Sequence, residues 1–454
     1  MKLSALFNDK IFYRDLFTIA VPIMLQNMVN ALVNMADTVM IGRLGTVEIA
    51  AVGLGNQVFF LYSLTLFGIC SGGSIFTAQF WGRKDTGGIR KNTGFCITLN
   101  LAVALVFTLA ALLTPEGILA LYSRDERVIE AGARYLKNLA PAFIPFAVSQ
   151  VFVLTLRSVE QVRLPMITTA IALSVNVILN YLFIFGFGPI PAMDVEGAAR
   201  ATVIARLVEV IILVSVSYAR RYPPAGSLRE LLGFRLPFVT RFLRVAFPVI
   251  LNEIVWSTGI SIQNVIFART HTDAIAAFNI TTTISQLTWV LFIGLGNGVG
   301  VLIGKKIGEG AYTVARDYAA RIIRFAPLMA MGTALLLFPL AALLPYFFRV
   351  NDRVLSYTAV MFLILGCSYP FRAFNMSMVV GVCRAGGDTV FCAIYDNIFL
   401  WFVAIPAAAL ASFVFNAPVG IIYLCIILED PLKMLLGLWR CKTGKWLHNV
   451  TGGL

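Results

Sequence analysis

The chain has 454 residues, of which 59% are hydrophobic and 13% charged, and its mean hydropathy is +0.84. That composition excludes an ordinary soluble enzyme and indicates an integral membrane protein. A net charge of +13 could suit nucleic acid, but its placement argues against such a partner: alternate loops carry about 24 Lys and Arg on one side and about 8 on the other. This positive-inside asymmetry places both termini in the cytoplasm.

A hydrocarbon core of about 30 Å needs about 20 helical residues per crossing. Twelve such runs follow one another, at residues 14–41, 47–80, 92–113, 128–155, 164–187, 196–219, 239–268, 274–303, 318–346, 353–382, 389–414 and 418–438. Their periodicity is helical or continuous and never strictly alternating, so the expected class is an all-α integral membrane protein rather than a β-barrel. The first run is too long for a cleavable signal peptide and lacks a small-residue cleavage site. The basic, proline-containing stretch ARRYPPAGSLRELLGFRLPF separates two lobes, giving 1–219, a cytoplasmic linker at 220–238, and 239–454.

A shift of 226 residues brings the halves into register without a gap. Ala20, Pro22, Leu25 and Arg43 fall on Ala246, Pro248, Leu251 and Arg269, and Gly68, Gly72 and Gly82 fall on Gly294, Gly298 and Gly308. Arg127 and Val128 still meet Arg353 and Val354. Six crossings per half make the repeats parallel, an organisation found in alternating-access transporters.

Polar groups inside the apolar runs point to the working parts. In QNMVNALVNMAD, Asn27, Asn30, Asn34 and Asp37 form one stripe of the first helix, about 80° wide. Lipid would leave them unpaired at a cost of several kcal/mol for the charge, so the stripe faces the bundle interior or a wet cavity. Asn176 and Asn180 share a helix face in SVNVILNYLFIFG, and Thr202 opens the next helix. Carboxylate, amide and hydroxyl oxygens suit a small hard cation or a proton, and Asp37 is the member that titrates. In the second half Glu253, Trp256, Ser257 and Asn264 share a face, and Asp396 lies in the eleventh run beside Tyr395. The repeat mate of Asp37 is Gln263, so the two halves differ chemically. The substrate-facing candidates are Asn30, Asn34, Met35, Trp256, Asn264 and Tyr395. Met24, Met28 and Met35, with 35 Phe in the chain, supply surfaces that repack around different guests.

Other features read as structure. Glu429 with Lys433 and Arg206 with Glu209 are spaced as intrahelical pairs. Asp388 is expected to cap the helix after it. Seven cysteines without paired spacing read as small hydrophobes, and His271 and His448 have no metal-ligand spacing. No nucleophile, metal or acid–base pair marks an enzyme. VLIGKKIG lacks the first Gly and the Ser/Thr of an ATP-binding loop.

Taken together, IAVPIMLQ with ADTVMIGRLG, EIAAVGLG, NVILNYLFIFG with GAARATVIAR, FPVILNE and CRAGGDT resemble the multidrug and toxic compound extrusion (MATE) family over nearly the whole chain, in its bacterial branch of NorM and DinF type. The resemblance implies twelve helices in two six-helix lobes around a central cleft. It implies export of organic, often cationic, compounds against inward sodium or protons, in the bacterial inner membrane. By position, Asp37, Asn176, Asn180 and Thr202 resemble the family's amino-lobe cation site, and Pro22 the proline at which its first helix bends. Glu253 resembles the second-half acid of the NorM branch, and Asp396 is a looser match to its carboxyl-lobe acid. Asn180 replaces an Asp that some members carry, so this site holds one formal charge fewer. No cofactor is expected beyond Na+ at Asp37, and a monomer is expected. A flippase of lipid-linked oligosaccharides in the same superfamily is the alternative, disfavoured because most Lys and Arg lie in loops.

Overall fold

The computed structural model describes residues 9–189, 191–347 and 350–453. The first six long helices are α1 Lys10–Ile41, α2 Thr46–Gly82, α3 Thr86–Leu113, α4 Glu126–Ser158, α5 Arg163–Phe185 and α6 Asp194–Ala219. They are followed by α7 Leu236–Thr270, α8 Thr272–Gly308, α9 Tyr312–Phe347, α10 Asp352–Arg384, α11 Thr389–Val414, α12 Val419–Ile427 and α13 Glu429–Thr443. Among the described residues ten of these, α1–α8 with α10 and α11, are long and apolar enough to cross a membrane. The expected ninth and twelfth crossings fall on α9 and on α12 with α13, a run interrupted at Leu428, where Glu429 and Asp430 begin the last helix. The fold is the expected all-α, twelve-crossing arrangement.

The helices overrun the apolar segments by a turn or so because charged residues prolong the backbone without belonging to the hydrocarbon. Side-chain caps then set several starts. The Asp85 carboxylate accepts from Gly88 N at 2.8 Å before α3, and Asn351 Oδ1 accepts from Val354 N at 2.8 Å before α10. Each bond satisfies one of the main-chain donors that a helix start leaves open.

The chain divides into two compact units. One is Leu25–Ile250; the other combines Met1–Met24 with Leu251–Gly452. The division therefore falls inside α1 and α7 rather than in the expected 220–238 linker, which lies within the first of these units. Close packing on glycine accounts for the placement. In the Leu25–Ile250 unit, a methyl built on Gly72 of α2 would lie 2.5 Å from Ala246 Cβ of α7. In the other unit, one built on Gly298 of α8 would lie 2.9 Å from Ala20 Cβ of α1. Small residues four apart let these helix backbones approach, so packing rather than chain order assigns the first half of each helix. Aromatic contacts extend both seams: Phe12 lies 4.7 Å from Tyr318, and Phe76 lies 5.5 Å from Phe242.

Pro22 and Pro248 lie inside α1 and α7, two residues before the division in each case. Proline removes a main-chain donor, so each helix has a weak point where it passes from one unit to the other.

The linker is ordered. Leu228–Leu231 forms a short helix behind a capping box of Ser227 and Glu230, and Arg90 of α3 pairs with Glu230 at 2.6 Å.

Candidate cation site

Asp37 lies about four turns beyond Pro22 on α1 and is half-buried. Asn180 Nδ2 donates to Asp37 Oδ1 at 2.7 Å. The same Nδ2 reaches Asn176 Oδ1 at 3.4 Å, and Asn176 Nδ2 reaches Thr202 Oγ1 at 3.4 Å. The i, i+4 spacing on α5 puts both amides on one face, and Thr202 comes from α6. All four expected residues therefore meet, within the Leu25–Ile250 unit. Asn180 is 2% exposed, and its Oδ1 has no hydrogen-bond partner among the described residues. A buried amide that donates to the carboxylate while its own oxygen accepts nothing has acceptor capacity to spare, which suits a small cation or the proton of a neutral Asp37. The amide also suits both states, because rotating it exchanges donor for acceptor.

A second polar chain runs through the same unit. Arg157 Nη2 donates to Gln26 Oε1 at 2.6 Å, and Gln26 Nε2 donates to Thr169 Oγ1 at 2.7 Å. Thr169 Oγ1 donates to Glu209 Oε1 at 3.0 Å, and Glu209 Oε2 accepts from Arg206 at 2.8 Å. The expected Arg206–Glu209 pair is thus one end of a longer buried array. Sequence reasoning missed Arg157, although a lone Arg in the apolar run FVLTLRS was a usable signal.

In the other unit the acidic candidates meet bases. Arg384 Nη2 pairs with Glu253 Oε1 at 2.5 Å, with the two side chains 6% and 11% exposed. Lys433 Nζ lies 3.5 Å from Asp396 Oδ1 and 3.2 Å from Glu429 Oε2, and Asn252 Nδ2 donates to Asp396 Oδ2 at 3.1 Å. The expected Glu429–Lys433 pair is present and extends to Asp396. Arg372 pairs with Asp430 at 2.9 Å.

Two expectations need correction. Tyr395 lines no exposed surface: it is fully buried, and its hydroxyl donates to Asn375 Oδ1 at 2.7 Å. Asp388 stands at the cap position of α11 but makes no capping bond, because Arg440 Nε takes its Oδ2 at 2.8 Å. Of the other surface candidates, Met35 is 63% exposed and Asn34 is exposed. Asn30, Trp256 and Asn264 are half-buried, and Asn264 Nδ2 is spent on Ile260 O within its own helix at 3.0 Å.

A family model described as MatE matches residues 22–182 and 248–420, the two repeats in turn. The chain belongs to the MatE family. It is similar to "Probable multidrug resistance protein NorM" of Thermotoga maritima, 27% identical over 95% of this chain and 93% of that protein. "Probable multidrug resistance protein YoeA" of Bacillus subtilis is 22% identical over 88% of this chain and 87% of its own. The fold matches a solved structure described as "Outward-facing conformation of a multidrug resistance MATE family transporter of the MOP superfamily". That match has a TM-score of 0.86 at 19% identity, over 95% of this chain and 96% of the other. As a MatE protein it is a multi-pass membrane transporter and not an enzyme.

Proposed function

We propose that this MatE protein exports organic compounds, many of them cationic, in exchange for a proton or sodium ion bound at Asp37, with Asn176, Asn180 and Thr202 as the neutral members of the site. The observation that carries the reading is the Asp37–Asn180 contact: an exchangeable carboxylate held by an amide, with the amide's own oxygen undonated. The relatives' names, which speak of multidrug resistance, support the class of cargo. Both termini are cytoplasmic in this reading, and the monomer is the working unit.

The cation and the cargo act on one conformational equilibrium. Each favours a different state, since a ligand bound equally by both shifts nothing. Pro22 gives α1 its place to bend. Surfaces near Asn30, Asn34 and Met35 meet the cargo. Inward passage of one charge against a neutral cargo draws about 2.3 kcal/mol per 100 mV. That supports roughly fifty-fold accumulation at about 1.4 kcal/mol per tenfold. A singly charged cationic cargo makes the exchange electroneutral, and the ion gradient alone then drives it.

Everted vesicles loaded with sodium, or with an acidic lumen, test the reading by their uptake of ethidium. Uptake driven by one gradient and collapsed by its dissipation is expected, and it names the ion. Ethidium distributing equally with and without both gradients would refute the exchange.

A further inference from the structure

Arg157 and Arg384 are 9% and 5% exposed, and each comes from the fourth long helix of its repeat. Arg157 in α4 binds Gln26 of α1 at 2.6 Å; Arg384 at the end of α10 binds Glu253 of α7 at 2.5 Å. The same turn of each first helix makes one more bond. Gln26 Nε2 donates to Thr169 of α5 at 2.7 Å, and its repeat mate Asn252 donates to Asp396 of α11 at 3.1 Å. In each unit an arginine and an oxygen from two neighbouring helices therefore grip one turn of α1 or α7.

The register shows that the two grips correspond. Tyr62 OH donates to Phe143 O at 2.5 Å, and the mates of these residues, Thr288 and Tyr369, make a 2.5 Å contact at the same separation of 81 residues. Gln26 and Thr169 stand 143 apart, whereas Asn252 and Asp396 stand 144 apart. The second repeat therefore holds one more residue between Tyr369 and Asp396. A π-helical stretch, Ser377–Arg384, lies in that interval. A π turn absorbs a single inserted residue without breaking a helix, and it brings Arg384 onto α7 as Arg157 meets α1.

Both grips lie about one turn beyond the internal prolines Pro22 and Pro248, on the far side of the division within each helix. We infer that Arg157 and Arg384 are positioning residues that clamp the post-proline segments of α1 and α7 to the helices of their own units. Bending is thereby confined to the prolines, and Asp37 stays on Asn180 while the rest of the first helix moves. For its transport readout, though not for the clamp itself, the inference rests on the exchange proposed above.

The test compares the full-length wild type with Arg157→Met, Arg384→Met and Arg157→Lys in detergent and in everted vesicles. In Arg157→Met, amide exchange over residues 25–37 rises about tenfold while residues 251–263 keep their protection; Arg384→Met gives the reverse. In vesicles Arg157→Met lowers the Vmax of ethidium uptake about tenfold with KM within about twofold, and Arg157→Lys recovers most of it. Unchanged exchange in the gripped segment, or a rise spread over both units, overturns the clamp, as does a raised KM at full Vmax. If the wild type moves no ethidium, the export reading fails, and the amide-exchange pattern alone decides the clamp.

Discussion

In the Leu25–Ile250 unit, Asp37 accepts from the amide of Asn180, which leads on to Asn176 and Thr202; in the other unit, Glu253 and Asp396 face Arg384 and Lys433. The contrast is between a carboxylate held by a neutral amide and carboxylates paired with buried bases. An amide can turn donor or acceptor toward either protonation state, so little is lost when Asp37 gains a proton or cation. Removing one partner of a buried ion pair strands the other, at a cost of about 3–5 kcal/mol. In the exchange proposed above, the acids of the second unit hold helices together and the exchanging acid is Asp37 of the first.

Lys433→Met is the strongest way to break this comparison. It leaves Asp396 and Glu429 facing each other without their ammonium, and a loss of about 3–5 kcal/mol is expected in thermal denaturation of the purified protein. Adding Asp396→Asn and Glu429→Gln to that variant is expected to restore most of the midpoint. A single variant as stable as wild type would mean that Lys433 is not what neutralises the pair.

Asn180→Ala has a smaller, local effect. It removes the donor to Asp37 and the undonated oxygen together, so the affinity for the coupling cation falls about tenfold, or about 1.4 kcal/mol. Titrating the ion dependence of ethidium uptake reads this directly. Glu253→Gln costs stability by removing the counter-charge of Arg384 but spares transport. The amide still accepts from Arg384, as Gln26 does from Arg157, so gradient-driven uptake in vesicles is expected to persist; its abolition would make Glu253 a second exchanging acid.

The smallest effect belongs to a carboxylate outside both clusters. Hydrogen bonds from the Ser227 main chain and hydroxyl, and then the Arg90 guanidinium, hold Glu230 below the usual glutamate range. Its folded form thus favours the ionised state. Its contribution to the linker is present at neutral pH and is lost as pH falls through that lowered value. Amide protection at Ser227 and Glu230, followed on acidification, should decline only below the ordinary glutamate range.

Much of this was legible in the sequence because hydrocarbon punishes unpaired polarity. The Asn176–Asn180 spacing and the helical runs follow from local rules, and the structure brings Asn180 to Asp37 and shows ten of the runs as single long apolar helices among the described residues. What was not legible depends on partners far along the chain. Glu253 looked exchangeable until Arg384 arrived from α10, and Asp396 until Lys433 arrived from α13. Tyr395 looked like a cavity residue beside Asp396, yet the alternation of burial on α11 turns it inward to Asn375. The division of α1 and α7 escaped notice for another reason. The glycine pairs at Gly68 with Gly72 and at Gly294 with Gly298 were visible, but not which helix lies on them.

Asp37→Asn in everted vesicles tests the central assignment most directly. The substitution keeps size and hydrogen bonding while removing the only titrating group of the site. Ethidium uptake driven by the sodium or proton gradient is expected to vanish, with the protein still present in the membrane. Uptake that follows the gradient as in the wild type would contradict any coupling role for this carboxylate.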